Sequence, residues 1–432
     1  MSTPTASFGR EAAAGIARSK NEPAWLVAWR ENAGELASKL ELPKPEKTPI
    51  QRWPLDVYGT DRPGAKVETA SQLPDALAKL LPAEAGGALI VQHNSSVVYT
   101  HLSDELKAKG VVLTSLEEAA RSHEEIVRTH LMTAYTPDEH KLAALHAALW
   151  NGGVFLYVPR GVEIEEPVQA LLFADDAEAT FVPHVLIVAE ANSRVTVVEN
   201  AATAVGEAAI VLNGAVEVFA KAGSQVRYAA VHSLEASAID VSYRRAVLEQ
   251  DARIEWIVGE LQDGNILSDT KTILKGNGST SDAKIITVGN GKQRMSLTTG
   301  AVHFGLSTES DMITRAVMKE EGTAVINGVT KIEKGATRAN GQQTEKVLML
   351  SPKARGDANP ILLIDEDDVK AGHAASVGQV NAEQVHYLMS RGISKTEAER
   401  LIIYGFLDPV VSEIPLESVR EQLQRILERK LG

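Results

Sequence analysis

The chain has 432 residues, 44% hydrophobic and 23% charged, with no cysteine and a formal charge of -13. That length buries a large core across two or three regions, and the composition is that of a soluble globular protein. The missing thiols exclude disulfides, thiolate ligation and cysteine nucleophiles, and the acidic balance argues against a general nucleic-acid or anionic-membrane binder.

The first ten residues, Met1 to Arg10, contain no apolar core of signal-peptide length. No later run approaches the roughly 20 apolar residues of a membrane span, so a cytoplasmic location is expected. Glu22-Pro23 then opens a helix whose apolar stripe runs Trp25, Trp29, Ala33, Leu36, Leu40. Pro43, Pro45 and Pro49 end it, because proline lacks the helix donor and clashes with the preceding turn. The two tryptophans are expected to pack on the rest of the chain, a partner groove being the lesser reading.

Ala88–Val91 and Ser96–Tyr99 read as a strand pair around the turn His93-Asn94-Ser95. Ser103 to Gly110 reads as a capped helix ended by glycine. Thr136-Pro137-Asp138-Glu139 is expected to open a helix running to Trp150, stopped by Gly152-Gly153.

From Val154 short strands bounded by Pro, Gly, Asp and Asn follow one another, among them Phe155–Val158, Val168–Phe173 and Val185–Val188. Three stretches resemble each other: Ala189–Val198, Ala220–Ala229 and Leu248–Ile257. Each is a strand, a polar turn and a strand that alternates apolar with polar. The copies lie 31 and 28 residues apart, counted from 189 to 220 and from 220 to 248. Such a period without intervening helices favours stacked coils, each burying the apolar face of its neighbour, over a doubly wound sheet. Ala324–Ile332 and Lys346–Leu350 fit the same scheme. A parallel β-helix is the preferred fold and a two-layer β sandwich the alternative. The chain divides accordingly into an N-terminal helical and α/β region (1-152), the β-helix core (153-378) and a C-terminal helical docking region (379-432).

At the junction, Leu363 to Gln379 carries four carboxylates (Asp365, Glu366, Asp367, Asp368), a glycine and His373. Beyond it Asn381 can cap a helix to Arg391, closed by Gly392, and Ser394-Lys395-Thr396-Glu397 is a capping box. Pro415 starts a last helix with Leu416, Val419, Leu423 and Ile426 on one stripe.

Common catalytic motifs are missing. There is no Gly-x4-Gly-Lys-Ser/Thr phosphate loop and no Gly-x-Ser-x-Gly elbow. The turns Gly276-Asn277-Gly278 and Gly289-Asn290-Gly291 lack a dinucleotide setting, and no two histidines have zinc-protease spacing. His373 remains the plausible chemical group: imidazole ligates iron and shuttles protons near neutral pH, and the acidic run can supply oxygen ligands or orient the ring. The bland reading is a solvated acidic turn beside a structural histidine.

Several stretches resemble the SufB/SufD family of iron–sulfur cluster assembly proteins, its SufD branch in particular. They are Arg128-Thr129-His130-Leu131, Asn151 to Val162, Asp367-Asp368-Val369-Lys370 with Gly372 to Gly378, Tyr387 to Ile393, and Ile402-Ile403-Tyr404-Gly405-Phe406. The N-terminal Glu22-Pro23-x-Trp25-Leu26 and Thr48 to Trp53 match as well, so the resemblance spans nearly the whole chain. It implies a right-handed parallel β-helix, a SufB partner joined at the last coils, and a SufC ABC-type ATPase docked on the C-terminal helices. ATP hydrolysis would then belong to the partner, in keeping with the missing phosphate loop. Many SufD chains read Cys-Ser-His where this one reads Ala371-Gly372-His373, so the histidine is kept and any thiolate must come from another chain.

The resulting expectation is a non-enzymatic scaffold that binds no cofactor stably by itself, with iron or a nascent cluster at the SufB interface. His373 is the interface candidate and tentative metal ligand, and Tyr404, Phe406 and Leu407 are the ATPase-docking candidates, their bland reading being packing between helices. A carbohydrate-active β-helix enzyme and a self-associating structural protein, homodimeric without SufB, are the rival readings. An aromatic content of 5% counts against the first, since sugar grooves use stacking platforms.

Overall fold

The computed structural model describes residues 10–81, 87–414 and 417–431. Its centre is a parallel β-solenoid of about eight turns. From Val154–Val158 onward successive strands alternate between a 9-stranded and a 10-stranded sheet, and each pairs in parallel with strands two places away in the chain. In the larger sheet Arg194–Thr203, Gln225–Ser233 and Arg253–Glu260 stack in order; in the smaller, Ile210–Ala220, Ala238–Leu248 and Asn265–Leu274. Antiparallel pairing occurs at the first turns, between Ala88–His93 and Ser96–Leu102 and between Val112–Thr114 and Val154–Val158. Ala88–His93 also lies parallel to Val168–Ala174, so stacking reaches back beyond the change of pattern at 153.

The sequence repeat is the stacking register itself. Ala189 pairs with Ala220 and Ala220 with Leu248; Val195 pairs with Val226 and Val226 with Ile254. All three of the last set are buried in the lumen, where each such side chain contributes about 1.5–3 kcal/mol. Between the paired strands the chain turns through a left-handed residue: Asn192, Gly223 and Asp251, at φ of 59°, 69° and 55°. A Cβ on Gly223 would come within 2.4 Å of Asn192 Oδ1 beneath it, so stacked corners admit glycine over asparagine but not two bulky residues.

Strands buried on both faces need a cover, and each sheet has its own. The N-terminal helices, with Leu26, Ala33, Leu142 and Trp150, pack over Val211, Ala215, Phe219 and Tyr243 of the smaller sheet. The C-terminal helices, with Ile403, Leu407, Val410, Leu423 and Leu427, pack over Val231, Ile257, Ile286 and Val317 of the larger. No described helix is long and apolar enough to cross a membrane.

One local expectation holds and one is corrected. Trp25 and Trp29, with Leu36 and Leu40, pack half-buried against the core as expected, while helix Ala24–Lys39 buries Leu26, Arg30, Ala33 and Ala37 most deeply. Arg30 takes an inner place because Glu22 accepts two of its hydrogen bonds (2.7 and 2.6 Å) and Trp150 stacks under it at 4.2 Å. The helix expected from Thr136 begins at Lys141, capped by His140 Nδ1, which accepts from Ala143 N. Thr136 and Glu139 instead bond each other in a separate turn. Of the last stripe, Leu416 and the Val419 side chain lie outside the described residues.

Candidate functional site

Among the described residues nothing caps the far end of the solenoid. Its last strands, Arg355–Ile364 and Lys370–Gln379, pair on one side only, with Thr323–Ile332 and Asn340–Met349. Every residue from His373 to Gln379 is therefore open to solvent, Val377 at 44%. Unpaired backbone on a long edge strand is a template for another strand. Ile361, Leu363 and Ile364 add exposed apolar surface on the neighbouring strand.

Register fixes the direction of His373. On Asn340–Met349 the buried residues Gly341, Gln343, Glu345 and Val347 form the inward column, and they pair with Ala371, His373, Ala375 and Val377. Side chains alternate across a strand, so His373 belongs to the lumen column and is exposed because no further turn covers it. Gln343, beneath it, reaches across the lumen to 3.2 Å from Thr330 Oγ1. The carboxylates expected beside His373 do not reach it. Glu366 accepts from the backbone N–H groups of Gly335 (2.8 Å) and Asp367 (3.0 Å), which hold its carboxyl below the ordinary range. Arg338 N donates to Asp368 O. Among the described residues no hydrogen bond or ion pair joins the acidic run to His373, so it shapes the corner before the last strand.

The three C-terminal candidates separate. Leu407 is fully buried against the larger sheet and positions helix Lys395–Val411. Phe406 is half-buried, with its carbonyl accepting from Arg315 and its ring 5.3 Å from that guanidinium. Tyr404 is likewise partly buried, packed on the same apolar cluster as Leu407. Beside them helices Ala382–Ser390 and Lys395–Val411 frame a groove of about 680 Å³, lined by Tyr387, Leu388, Leu401, Ile402, Gly405 and Phe406 among others. Tyr387 is 58% exposed and Leu401 44%. The first helix is held at its start by Asn381, whose Oδ1 accepts from Glu383 N at 2.8 Å. The last helix is anchored by Lys430, which donates to the carbonyls of Gln262 (2.6 Å) and Val288 (2.8 Å).

One charged cluster was not singled out from sequence. Inside the lumen His232 Nδ1 meets Asp240 at 2.6 Å and His232 Nε2 meets Glu199 at 2.8 Å. Arg244 joins Glu260 at 2.9 Å, and Gln262 donates to Asp240 and Glu260. Burial alone would depress the imidazolium; Asp240, Glu199 and Glu260 reverse that and raise it to about 10. Arg244 and His232 bring Glu260 down to about 2 against the opposing effect of burial. Among the described residues, His232, Asp240 and Glu260 are the group close enough to share an ion. With both ring nitrogens spent and Arg244 beside them, they form an internal ion network instead. The available signal was a carboxylate at an inward position of an otherwise apolar alternation: Val195, Val197, Glu199, and Ile254, Trp256, Val258, Glu260.

The solenoid thus has two covered sheets, one open end and a groove beside its C-terminal helices. Comparison with known proteins gives the family. Residues 172–406 match the SUF system FeS cluster assembly SufBD core domain, and residues 86–170 the SufBD protein N-terminal region. The iron–sulfur cluster assembly protein SufD of Bacillus subtilis is 46% identical over 95% of each chain. SufB of the same organism is 28% identical over 93% of this chain and 88% of its own, and a SufBD family protein of Staphylococcus epidermidis is 26% identical over the same shares. The chain belongs to the SufBD family of the SUF iron–sulfur cluster assembly system, on its SufD side.

Proposed function

We propose that this chain is the scaffold subunit that pairs with a SufB-type protein through its last coil and docks a SufC-type ATPase on its C-terminal helices. The observation that carries this reading is the open end, where a strand paired on one side only presents a lumen-facing histidine. A second solenoid end laid against Lys370–Gln379 would continue the sheet and enclose His373, which then serves as iron ligand or proton carrier for a nascent cluster. The thiolate such a cluster needs comes from the partner, since this chain has no cysteine. The groove beside Tyr387, Leu401 and Phe406 is the ATPase surface; Leu407 holds its helix in place. The chain itself hydrolyses nothing: ATP turnover in SufC supplies the rearrangement, in the cytoplasm. Without SufB the same edge accepts a second copy of the chain.

Co-expression tests this directly. Tagged protein is expected to retain both SufB- and SufC-type partners, and retention of neither would sink the reading. His373→Ala should leave the complex intact and abolish cluster formation; full cluster yield in that variant would remove His373 from the mechanism.

A further inference from the structure

Six asparagines of the chain are followed directly by glycine: Asn151, Asn213, Asn277, Asn290, Asn327 and Asn340. The pair is chemically labile, because a glycine without Cβ leaves its backbone nitrogen open to approach the preceding carboxamide. Folding restrains the reaction by holding the carboxamide in hydrogen bonds. Asn151 donates to Thr180 O (2.8 Å) and accepts from Val182 N (3.2 Å), and Asn213 donates to Leu142 O and Tyr58 Oη, both at 3.1 Å. Asn277 accepts from Leu306 N (2.8 Å), Asn327 from Asn359 Nδ2 (3.0 Å) and Asn340 from Gln342 Nε2 (2.9 Å). Asn290 is the exception: among the described residues no hydrogen bond reaches its carboxamide, although its backbone N–H is held.

Its place in the fold explains that freedom. Residues 290–293 form the corner between strands Thr280–Gly289 and Arg294–His303. Asn290 and Gly291 line an open cleft of about 590 Å³ together with Pro54, Asp263, Glu320 and Arg429. The corner itself is pinned. Asn290 N donates to Gln293 Oε1 (2.9 Å), and Gln293 Nε2 donates to the carbonyls of Gln262 (2.9 Å) and Gly264 (2.6 Å). Where Gly291 would carry a Cβ, the nearest neighbour is Glu320 Oε2 at 4.0 Å. That same carboxylate, exposed on the next corner, accepts from Gly291 N at 2.6 Å. A negative charge there disfavours loss of the amide proton, since the attacking nitrogen is itself an anion.

We propose that Asn290 is a spontaneous deamidation site whose rate is restrained by Glu320. Gly291 N loses its proton and attacks Asn290 Cγ. The new C–N bond closes a succinimide as the Cγ–Nδ2 bond breaks, and the leaving nitrogen takes up a proton and departs as ammonia. Water, the one co-reactant, then opens the ring at either carbonyl to give aspartate or isoaspartate; nothing is oxidised or reduced. Both products add a carboxylate to a cleft that already holds Asp263 and Glu320. The isoaspartyl form also lengthens the backbone by one methylene. It does so at a corner bonded through Gln293 to the one that anchors Arg429 and Lys430 of the last helix.

The test incubates the full-length chain in oxygen-18 water at neutral and mildly alkaline pH and follows all six pairs by peptide mass spectrometry. The urea-unfolded chain shows what each pair does without the fold. In the native chain Asn290 is expected to convert first, at least about fivefold ahead of every other pair, the factor of one hydrogen bond that must open elsewhere. Its product should carry the heavy oxygen. Glu320→Gln keeps a neutral acceptor and should speed conversion about fivefold, the effect of one unit charge at contact range in water. The other five pairs should keep their rates in that variant, which a general loosening of the fold would not allow. A native chain that spares Asn290 while the unfolded chain converts it would overturn the proposal, as would another pair converting first. A Glu320→Gln rate at or below that of the wild type would overturn the restraint.

Discussion

His232 shows how a residue that periodicity ignores can govern stability. It is clamped between Asp240 and Glu199 with Arg244 beside it, all buried. Replacing it leaves carboxylates without a partner, so His232→Gln is expected to destabilise the chain by about 3–5 kcal/mol in urea unfolding. The pH dependence has a definite sign. The folded pKa of about 10 lies above the unfolded value of about 6.5. The contribution is thus complete below about pH 6.5 and is lost as pH rises toward 10, with a slope of at most about 1.4 kcal/mol per unit. Glu260, held at about 2, works in the opposite direction: its share is present above its unfolded value and lost as pH falls toward 2. Melting curves from pH 7 to 9.5 should fall more steeply for the wild type than for His232→Gln; parallel curves would show that His232 is not the titrating group.

At the scale of elements, helix Lys395–Val411 has two faces with different work. Leu407 and Ile403 press on the larger sheet, whereas Leu401 faces the groove. Leu407→Ala should cost about 2–5 kcal/mol, read as early release of the C-terminal helices in hydrogen exchange. Leu401→Glu should change stability by no more than about 0.5 kcal/mol and abolish ATPase retention in pull-downs. An unaltered pull-down would place the docking surface elsewhere. Sequence spacing defined the helix but not its orientation, because Tyr404, Phe406 and Leu407 are all apolar and only contact with Arg315 and the sheet tells them apart.

For the molecule as a whole, the open solenoid end is the feature to test. A lysine on the exposed edge opposes strand addition, so Val377→Lys should block co-elution with the SufB-type partner and self-association alike. Its thermal stability should stay close to wild type, since Val377 is already 44% exposed. Co-elution unchanged by that charge would mean that the partner does not add to this edge.

Local chemistry determined the strands, the turns and the stacking. The offsets of 31 and 28 residues are the pairings Ala189 to Ala220 and Ala220 to Leu248, because a coil repeats in sequence whatever must repeat in space. The absence of cysteine likewise fixed, from sequence alone, where a thiolate cannot come from. What faces what across the lumen was decided by tertiary structure. Gly328 opposes Glu345, His232 gathers carboxylates from Glu199 to Glu260, and the acidic run near His373 bonds to Gly335 instead. Those partners come from segments far apart in the chain, several of them on opposite sheets. Periodicity reports which side of a strand is inward, whereas electrostatic and hydrogen-bond partners depend on the distance between opposite walls, which only the closed coil sets.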